Sequence, residues 1–231
     1  MNKHITKHQI LITALAALVI AEAGATFSRN AVWSNPVSLW EQVVRDSPNK
    51  ARGYNNLGML YSAAGRLDEA EKNIGTALSL NPLYGEAYYN MGVTYGFRGQ
   101  ADKAVAMYGK AISLNPLHVD AHYNLGKIYA SQRLYDQAIE QYLFVLRIKP
   151  DHSNAHNNLG AAYSAQKMKA EAKVHYLAAI RLQPENTETH FNLGMLYLGM
   201  GDRSEARREF EVILQIDTGH RQALQFLSYV K

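Results

Sequence analysis

The most regular chemistry in this sequence belongs to five asparagines that recur at a constant spacing of 34 residues. Each stands directly before Leu or Met and then Gly, so all five have the same chain neighbours. A side-chain amide donates and accepts hydrogen bonds at once, and can therefore bind an extended peptide backbone with little regard to its sequence. The alternative is that each amide bonds only to the backbone of a neighbouring repeat. This asparagine row consists of Asn56, Asn90, Asn124, Asn158 and Asn192.

The residue before each asparagine of the row is an amide or an aromatic residue in every copy. Aromatic side chains next to amides suit contacts with a peptide or a glycan, and plain packing between neighbouring copies is the alternative. We predict that these residues and the asparagine row together bind a partner. The preceding residues are Asn55, Tyr89, Tyr123, Asn157 and Phe191.

Two pairs of histidines, His118 with His122 and His152 with His156, are four residues apart and would share one face of a helix. Such a pair could bind a metal ion. Neither pair is followed by the glutamate or third ligand of a catalytic zinc site, and the first histidine of each pair falls in a predicted loop. We therefore predict no metal site and no cofactor.

The sequence also lacks the motifs of common enzyme classes. It contains no cysteine, no Gly-x-Ser-x-Gly motif and no phosphate-binding loop, and Gly199-Met200-Gly201 is typical of a helix turn. We predict that the chain is not an enzyme. A net charge of +4, spread without a block of Lys or Arg, argues against nucleic acid as a partner.

The asparagine row lies in a segment that repeats as a whole, and each repeat predicts two helices joined by a turn. The turn requires a left-handed residue, and the second helix carries a recurring Ala followed by a large apolar residue. The five repeats span 51–84, 85–118, 119–152, 153–186 and 187–220. The turn residues are Gly65, Gly99, Arg133, Lys167 and Gly201.

The segments at both ends of the repeats are predicted to cover them. Residues 29–50 form a junction and a half-repeat helix, which begins after Asn35 and ends near Asp46. We hypothesise that Trp33 and Trp40 cap the first repeat and keep it close to a membrane. Residues 221–231 are predicted to form a capping helix on the last repeat.

Residues 1–28 have the pattern of a signal anchor or a signal peptide. Residues 10–21 carry no charge and the apolar stretch extends to residue 27, which favours an uncleaved anchor through residues 10–27. Ala21-Glu22-Ala23 also fits a cleavage site, and a buried helix is a third interpretation. Since Lys3 and Lys7 precede the apolar stretch, we expect a cytoplasmic N-terminus and repeats outside the cytoplasm.

The motif Leu-Gly-x-x-Tyr, the recurring Ala and aromatic residue, and the closing Pro resemble the tetratricopeptide repeat (TPR). This resemblance implies an all-α fold: a right-handed superhelical solenoid of five repeats with an N-terminal half-unit and a C-terminal cap, whose groove binds peptides. The row resembles the asparagines in repeats of the O-linked N-acetylglucosamine transferase. The junction at 29–52 resembles that of bacterial TPR proteins related to membrane glycosyltransferases, although the transferase core is absent.

Together these patterns predict a single-pass inner-membrane scaffold with a periplasmic repeat domain, or a secreted periplasmic protein if the signal is cleaved. It would bind an extended segment of a partner protein and assist assembly or maturation of an envelope complex. The alternative is a non-catalytic accessory module of a glycosylation or polysaccharide-export machine. Self-association through an uncapped repeat end would be a further interaction.

Overall fold

The computed structural model describes residues 35–229, and in this part of the chain all regular secondary structure is α-helical. The predicted all-α fold is confirmed. The apolar segment at 10–27 and Trp33 lie outside the described residues. Among the helices between residues 35 and 229, none has the length and apolar character needed to cross a bilayer.

The chain divides into two compact units, and the first of them ends at Arg98. Its first helix, α1, begins after Asn35, whose Oδ1 accepts a hydrogen bond of 3.0 Å from the backbone N–H of Val37. Proline occupies the first turn, where a missing N–H costs nothing. Four helices make up the described part of this unit: α1 (Pro36–Asp46), α2 (Ala51–Ala63), α3 (Leu67–Leu80) and α4 (Gly85–Phe97).

Helix α1 covers the apolar end of the first repeat. Trp40 packs, together with other apolar residues of α1, against a buried cluster formed by Leu57, Tyr61 and Ala70. The hydroxyl of Tyr61 donates a 2.8 Å hydrogen bond to Oε1 of Glu41, which fixes α1 at a second point. The predicted half-repeat helix is therefore present.

The second unit begins at Gly99 and contains α5, then helix pairs, and then one more helix. Its helices are α5 (Ala101–Leu114), α6 (Val119–Ser131), α7 (Tyr135–Ile148), α8 (Ser153–Ala165), α9 (Lys169–Leu182), α10 (Thr187–Met200), α11 (Arg203–Ile216) and α12 (Arg221–Tyr229). Phe226 of α12 stacks on Phe210 and meets Phe191 edge-on, each with ring centroids 5.7 Å apart. The predicted C-terminal cap is therefore confirmed.

The turns between paired helices have the backbone conformation that the repeat pattern predicts. The five turn residues all have positive φ, between 62° at Arg133 and 90° at Gly201. Glycine adopts this conformation without strain, whereas Arg133 and Lys167 do so at a cost of about 1 kcal/mol each. The frame of the repeat thus determines the turn even where the sequence lacks glycine.

In the first repeat and in the last three, a glycine of the first helix allows the second helix of the same repeat to approach closely. A Cβ on Gly194 would lie 2.7 Å from Cε1 of Phe210, and one on Gly160 would lie 2.8 Å from Cδ1 of Tyr176. Phe210 and Tyr176 are buried in the space that the missing Cβ leaves. The recurring alanines of the second helices, Ala70, Ala104, Ala138, Ala172 and Ala206, are fully buried.

We expect Gly194→Ala to destabilise the protein by about 1–3 kcal/mol, because the new methyl group overlaps the Phe210 ring in a packed interior. Gly199→Ala in the same helix is the matched control, since a Cβ there meets no atom within 4 Å. The control should be neutral or stabilising by up to about 1 kcal/mol, through higher helix propensity. Denaturant unfolding followed by circular dichroism measures both, and equal effects of the two variants would contradict this packing.

We expect Trp40→Ala to lower the melting temperature, because it removes the largest side chain that α1 packs on the Leu57 cluster. Arg45→Ala, an exposed position on the same helix, is the control and should leave the melting temperature nearly unchanged. A melting temperature unaffected by Trp40→Ala would contradict the capping role of α1.

Candidate partner-binding site

Each asparagine of the row lies on the first helix of its repeat, in the second turn of that helix. Asn56 and Asn90 belong to α2 and α4 of the first unit. Asn124, Asn158 and Asn192 belong to α6, α8 and α10 of the second unit. Within each unit, the constant spacing therefore places the amides at matching positions on successive first helices.

Hydrogen bonds connect the row to the preceding repeat. Nδ2 of Asn90 donates to Oδ1 of Asn55 at 3.0 Å. In the second unit, Nδ2 of Asn158 donates to the Tyr123 hydroxyl at 3.1 Å, and Nδ2 of Asn192 donates to Oδ1 of Asn157 at 3.1 Å. In each case the acceptor is the residue that precedes the previous asparagine. The amides thus bond to side chains of the neighbouring repeat rather than only to its backbone.

Three amides of the predicted set are buried. Asn55, Asn90 and Asn157 expose only 2%, 5% and 4% of their surface. Their hydrogen bonds to the neighbouring repeat explain how amides can lie there, because a buried polar group without a partner would cost about 1–3 kcal/mol. Hydrogen bonding between repeats accounts for the burial of these three amides. Partner binding by the whole predicted set stays a prediction.

Two other asparagines, Asn158 and Asn192, are half-buried and retain hydrogen-bonding capacity. Each uses one N–H on the preceding repeat. The Asn158 amide also hydrogen-bonds to the Tyr142 hydroxyl, so only its carbonyl oxygen has no partner among the described residues. Asn192 keeps both a carbonyl oxygen and a second N–H. These are the groups that a peptide backbone needs.

The surroundings of Tyr123 combine an aromatic ring with charges of both signs. Burial raises the pKa of the Tyr123 hydroxyl, and the negative charge of Glu188 raises it further. Oε1 of Glu188 accepts a 3.3 Å hydrogen bond from Nδ2 of Asn157, and Nζ of Lys127 lies 5.8 Å from the Tyr123 ring centroid. Asp120 adds an exposed carboxylate on the same helix. This mixture differs from a basic clamp for acidic chain ends.

The histidines of the two sequence pairs have separate structural roles. Nδ1 of His118 and of His152 accepts a backbone N–H at the start of a helix, from Ala121 and Ala155. Nε2 of His156 lies 3.0 Å from the Pro150 carbonyl oxygen. The chain from residue 35 to 229 contains no cluster of three or more metal-ligating side chains.

The sequence did not predict one set of histidine hydrogen bonds. His122, His156 and His190 each bond through Nε2 to the proline carbonyl six residues earlier and through Nδ1 to a residue of the second helix 19 residues later. The recurring interval between Pro and His could have indicated the first contact. The second depends on how two helices pack, which spacing alone does not give. The second-helix partners are Gln141, His175 and Glu209.

Comparison with protein families gives a clear result. Models of the tetratricopeptide repeat match residues 51–84, 89–153, 153–186 and 187–220, which together make up well over half of the chain. The chain belongs to the tetratricopeptide repeat family. A TPR protein has the helix-pair fold of an interaction scaffold, and the predicted resemblance is confirmed.

Solved TPR structures resemble this fold at low sequence identity. YrrB, described as a TPR protein with an unusual peptide-binding site, has a TM-score of 0.69 at 22% identity, with 80% of this chain and 96% of that chain covered. The pilF protein of Pseudomonas aeruginosa has a TM-score of 0.68 at 21% identity, with 75% and 79% covered. At these identities the likeness concerns the fold.

A curated relative matches a shorter stretch. Protein O-mannosyl-transferase Tmtc1 of Drosophila melanogaster is 35% identical over 78 residues, which is 34% of this chain. The chain spans only 9% of the length of that protein.

The ion pair of His190 with Glu209 should make stability depend on pH. Burial disfavours the charged ring, but hydrogen bonds to the Glu209 carboxylate and the Pro184 carbonyl outweigh it, so the pKa of His190 is raised. A histidine whose pKa is raised by folding stabilises the folded protein fully at pH values below its pKa in the unfolded chain, about 6.5. This stabilisation is lost as the pH rises through the pKa of the histidine in the folded protein.

We therefore expect Glu209→Gln to destabilise the protein more at pH 6 than at pH 9, as measured by urea unfolding at both pH values. Glu211→Gln is the control, because Glu211 pairs with Arg207 on the exposed side of the same helix. That control should have a small effect that is the same at both pH values. A Glu209→Gln effect independent of pH would contradict the charged pair.

Proposed function

We propose that this protein is a non-catalytic adaptor that binds an extended segment of a partner protein along the first helices of its repeats. The observation that carries the proposal is the half-satisfied amide of Asn192, with the carbonyl oxygen of Asn158 at the same position one repeat earlier. One N–H of each bonds to the preceding repeat, which fixes the orientation of the amide. Both carbonyl oxygens are then available to accept from a peptide backbone, and the second N–H of Asn192 is available to donate to it.

The spacing of these amides suits an extended chain. Neighbouring packed helices have axes on the order of 10 Å apart. An extended peptide advances about 3.3 Å per residue, so successive amides would meet every third residue of the partner. Recognition of this kind depends on the backbone and tolerates variation in the partner's side chains.

The surrounding side chains would then determine which partner segments bind. Tyr123 and Phe191 offer aromatic surface beside the amides, and both are only partly buried. Glu188 and Asp120 are exposed carboxylates on the first helices and Lys127 is an exposed cation. We therefore expect a partner segment of mixed polarity, with apolar or aromatic anchors between backbone contacts.

The location is proposed from the N-terminal sequence alone. An anchor through residues 10–27 with Lys3 and Lys7 on the cytoplasmic side would hold the repeats in the periplasm of a bacterium, next to the inner membrane. Such a scaffold would assist assembly or maturation of an envelope complex. Protease treatment of spheroplasts and intact-mass measurement test the topology and the cleavage at Ala23, and repeats protected from external protease would contradict it.

A second candidate function is that of an accessory module in a glycosylation or polysaccharide-export machine. The observation that favours it is the 35% identity to part of an O-mannosyl-transferase. Because that match spans 9% of the transferase, it supports a shared repeat rather than a shared activity. In this case the repeats would bind a glycan or a transferase.

Site-specific photocrosslinking in cells tests the proposal on the full chain. A photoreactive amino acid at Ala161 or Met195, exposed on first helices, should crosslink to one recurring protein segment. The same probe at Val174, which is 63% exposed on a second helix, is the matched control and should not crosslink to it. A crosslinked glycan or glycosyltransferase would instead support the second candidate.

The amides themselves are tested with the double variant Asn158→Ala/Asn192→Ala, which should reduce the crosslink from Met195 severalfold by removing backbone contacts. Asn73→Ala on helix α3 is the control, because Asn73 bonds to the backbone of its own helix. Circular dichroism establishes that the variants stay folded. An undiminished crosslink in the folded double variant would contradict a role of these amides in binding.

A further inference from the structure

His156 differs from the equivalent histidines His122 and His190 because its partner on the second helix is another histidine. Nδ1 of His156 on α8 lies 3.0 Å from Nδ1 of His175 on α9. The two rings are stacked at an angle of 29° with centroids 5.3 Å apart. Two imidazole nitrogens therefore face each other across the helix pair of residues 153–186.

The hydrogen bonds of His156 determine which nitrogen carries its proton. Nε2 lies 3.0 Å from the carbonyl oxygen of Pro150, which can only accept, so Nε2 must be protonated. In the neutral ring, Nδ1 of His156 then has a free lone pair. The contact between the rings requires Nδ1 of His175 to donate its proton to that lone pair.

We propose that His156 and His175 bind a divalent late transition-metal ion, copper(II) or nickel(II), which replaces the proton shared by the two rings. Both Nδ1 atoms would then be ligands, and His175 would change tautomer: its Nδ1 proton leaves to water and its Nε2 takes up a proton from water, so the ring stays neutral. The ion would connect α8 to α9 and so tie together the two helices of one repeat.

The separation of the two nitrogens indicates the kind of metal ion. At a metal–imidazole bond of about 2.0–2.1 Å, two ligands at a right angle lie about 3.0 Å apart, whereas tetrahedral ligands lie about 3.4 Å apart. The observed 3.0 Å fits the right angle. Tetragonal geometry with nitrogen ligands is characteristic of copper(II) and nickel(II).

The surroundings match those of a metal-bound histidine. A ligand histidine commonly donates its other N–H to a backbone carbonyl, as His156 does to Pro150. The Tyr163 ring stacks on His175 at an angle of 16° and fixes its orientation. Burial, with a further contribution from His156, lowers the pKa of His175. Both histidines are half-buried and keep some contact with solvent, so water can supply the remaining ligands.

The equivalent positions in the neighbouring repeats provide natural controls. Nδ1 of His122 lies 2.7 Å from the Gln141 amide oxygen, and Nδ1 of His190 lies 2.6 Å from a Glu209 carboxylate oxygen. Neither pair offers two imidazoles. His175→Gln would therefore create a His–Gln pair that the fold already accommodates one repeat earlier.

Copper(II) titration of the untagged full-length protein in detergent at pH 7.5 tests the proposal, with calorimetry for stoichiometry and electron paramagnetic resonance for bound nitrogens. The wild type should bind one ion with two nitrogens, and that site should disappear in His175→Gln. Gln141→His, which places a second imidazole opposite His122, should add a second site. The other histidines are common to all three proteins, so weak copper binding at surface histidines contributes equally to each titration and does not affect the comparison.

Bound copper should also raise the melting temperature of the wild type and not that of His175→Gln, because an ion that binds only the folded repeat stabilises it. Circular dichroism establishes that each variant is folded. The proposal is overturned if folded His175→Gln binds copper with the stoichiometry and affinity of the wild type. It is also overturned if the wild type shows no site beyond that of the variant.

Discussion

The close contact between a glycine of the first helix and a large apolar side chain of the second helix is the constraint on which the packing of the first repeat and of the last three depends. At Gly126, Gly160 and Gly194 a Cβ would lie within 3.0 Å of the ring that packs there. This contact brings the two helices of a repeat together, and the left-handed turn residue connects them at the required angle. Without it, the histidine pairs and the amides would not meet their partners.

Stacking of helix pairs then creates two different kinds of amide. Asn157 is buried and bonds to Asn192 and Glu188, so its polar groups are satisfied within the protein. Asn192 lies one position further around its helix and keeps part of its hydrogen-bonding capacity. One helical position therefore separates an amide that stabilises the stack from one that can bind a partner. The proposed adaptor function depends on this difference.

Much of the fold follows from the sequence because the repeat supplies the same information several times. Arg133 and Lys167 were predicted to be left-handed although neither is glycine, since the frame places them where Gly65 and Gly99 stand. The ends of α1 follow from Asn35, Pro36 and the loop after Asp46. Local chemistry and periodicity agree at these positions.

The candidate site was less predictable because its contacts are tertiary. The sequence placed Asn55 and Asn56 side by side as binding residues, whereas Asn55 is buried and accepts a hydrogen bond from a residue 35 positions later. The pairing of His156 with His175 likewise depends on the packing of two helices. Helical spacing drew attention to His152 with His156, but His152 accepts a hydrogen bond at the start of its helix. Periodicity identifies equivalent positions, and only packing decides what each position contacts.

We propose that Asn158 and Asn192 bind a partner backbone while their amides stay bonded to the preceding repeat. The most direct measurement is nuclear magnetic resonance of the side-chain amide groups, with the partner segment identified by crosslinking added in increasing amounts. If these amides bind the partner, the Asn158 and Asn192 signals should shift together and saturably, while the Asn73 signal on a second helix stays in place. Binding that shifts only signals from second helices, and leaves both amides unchanged, would contradict it.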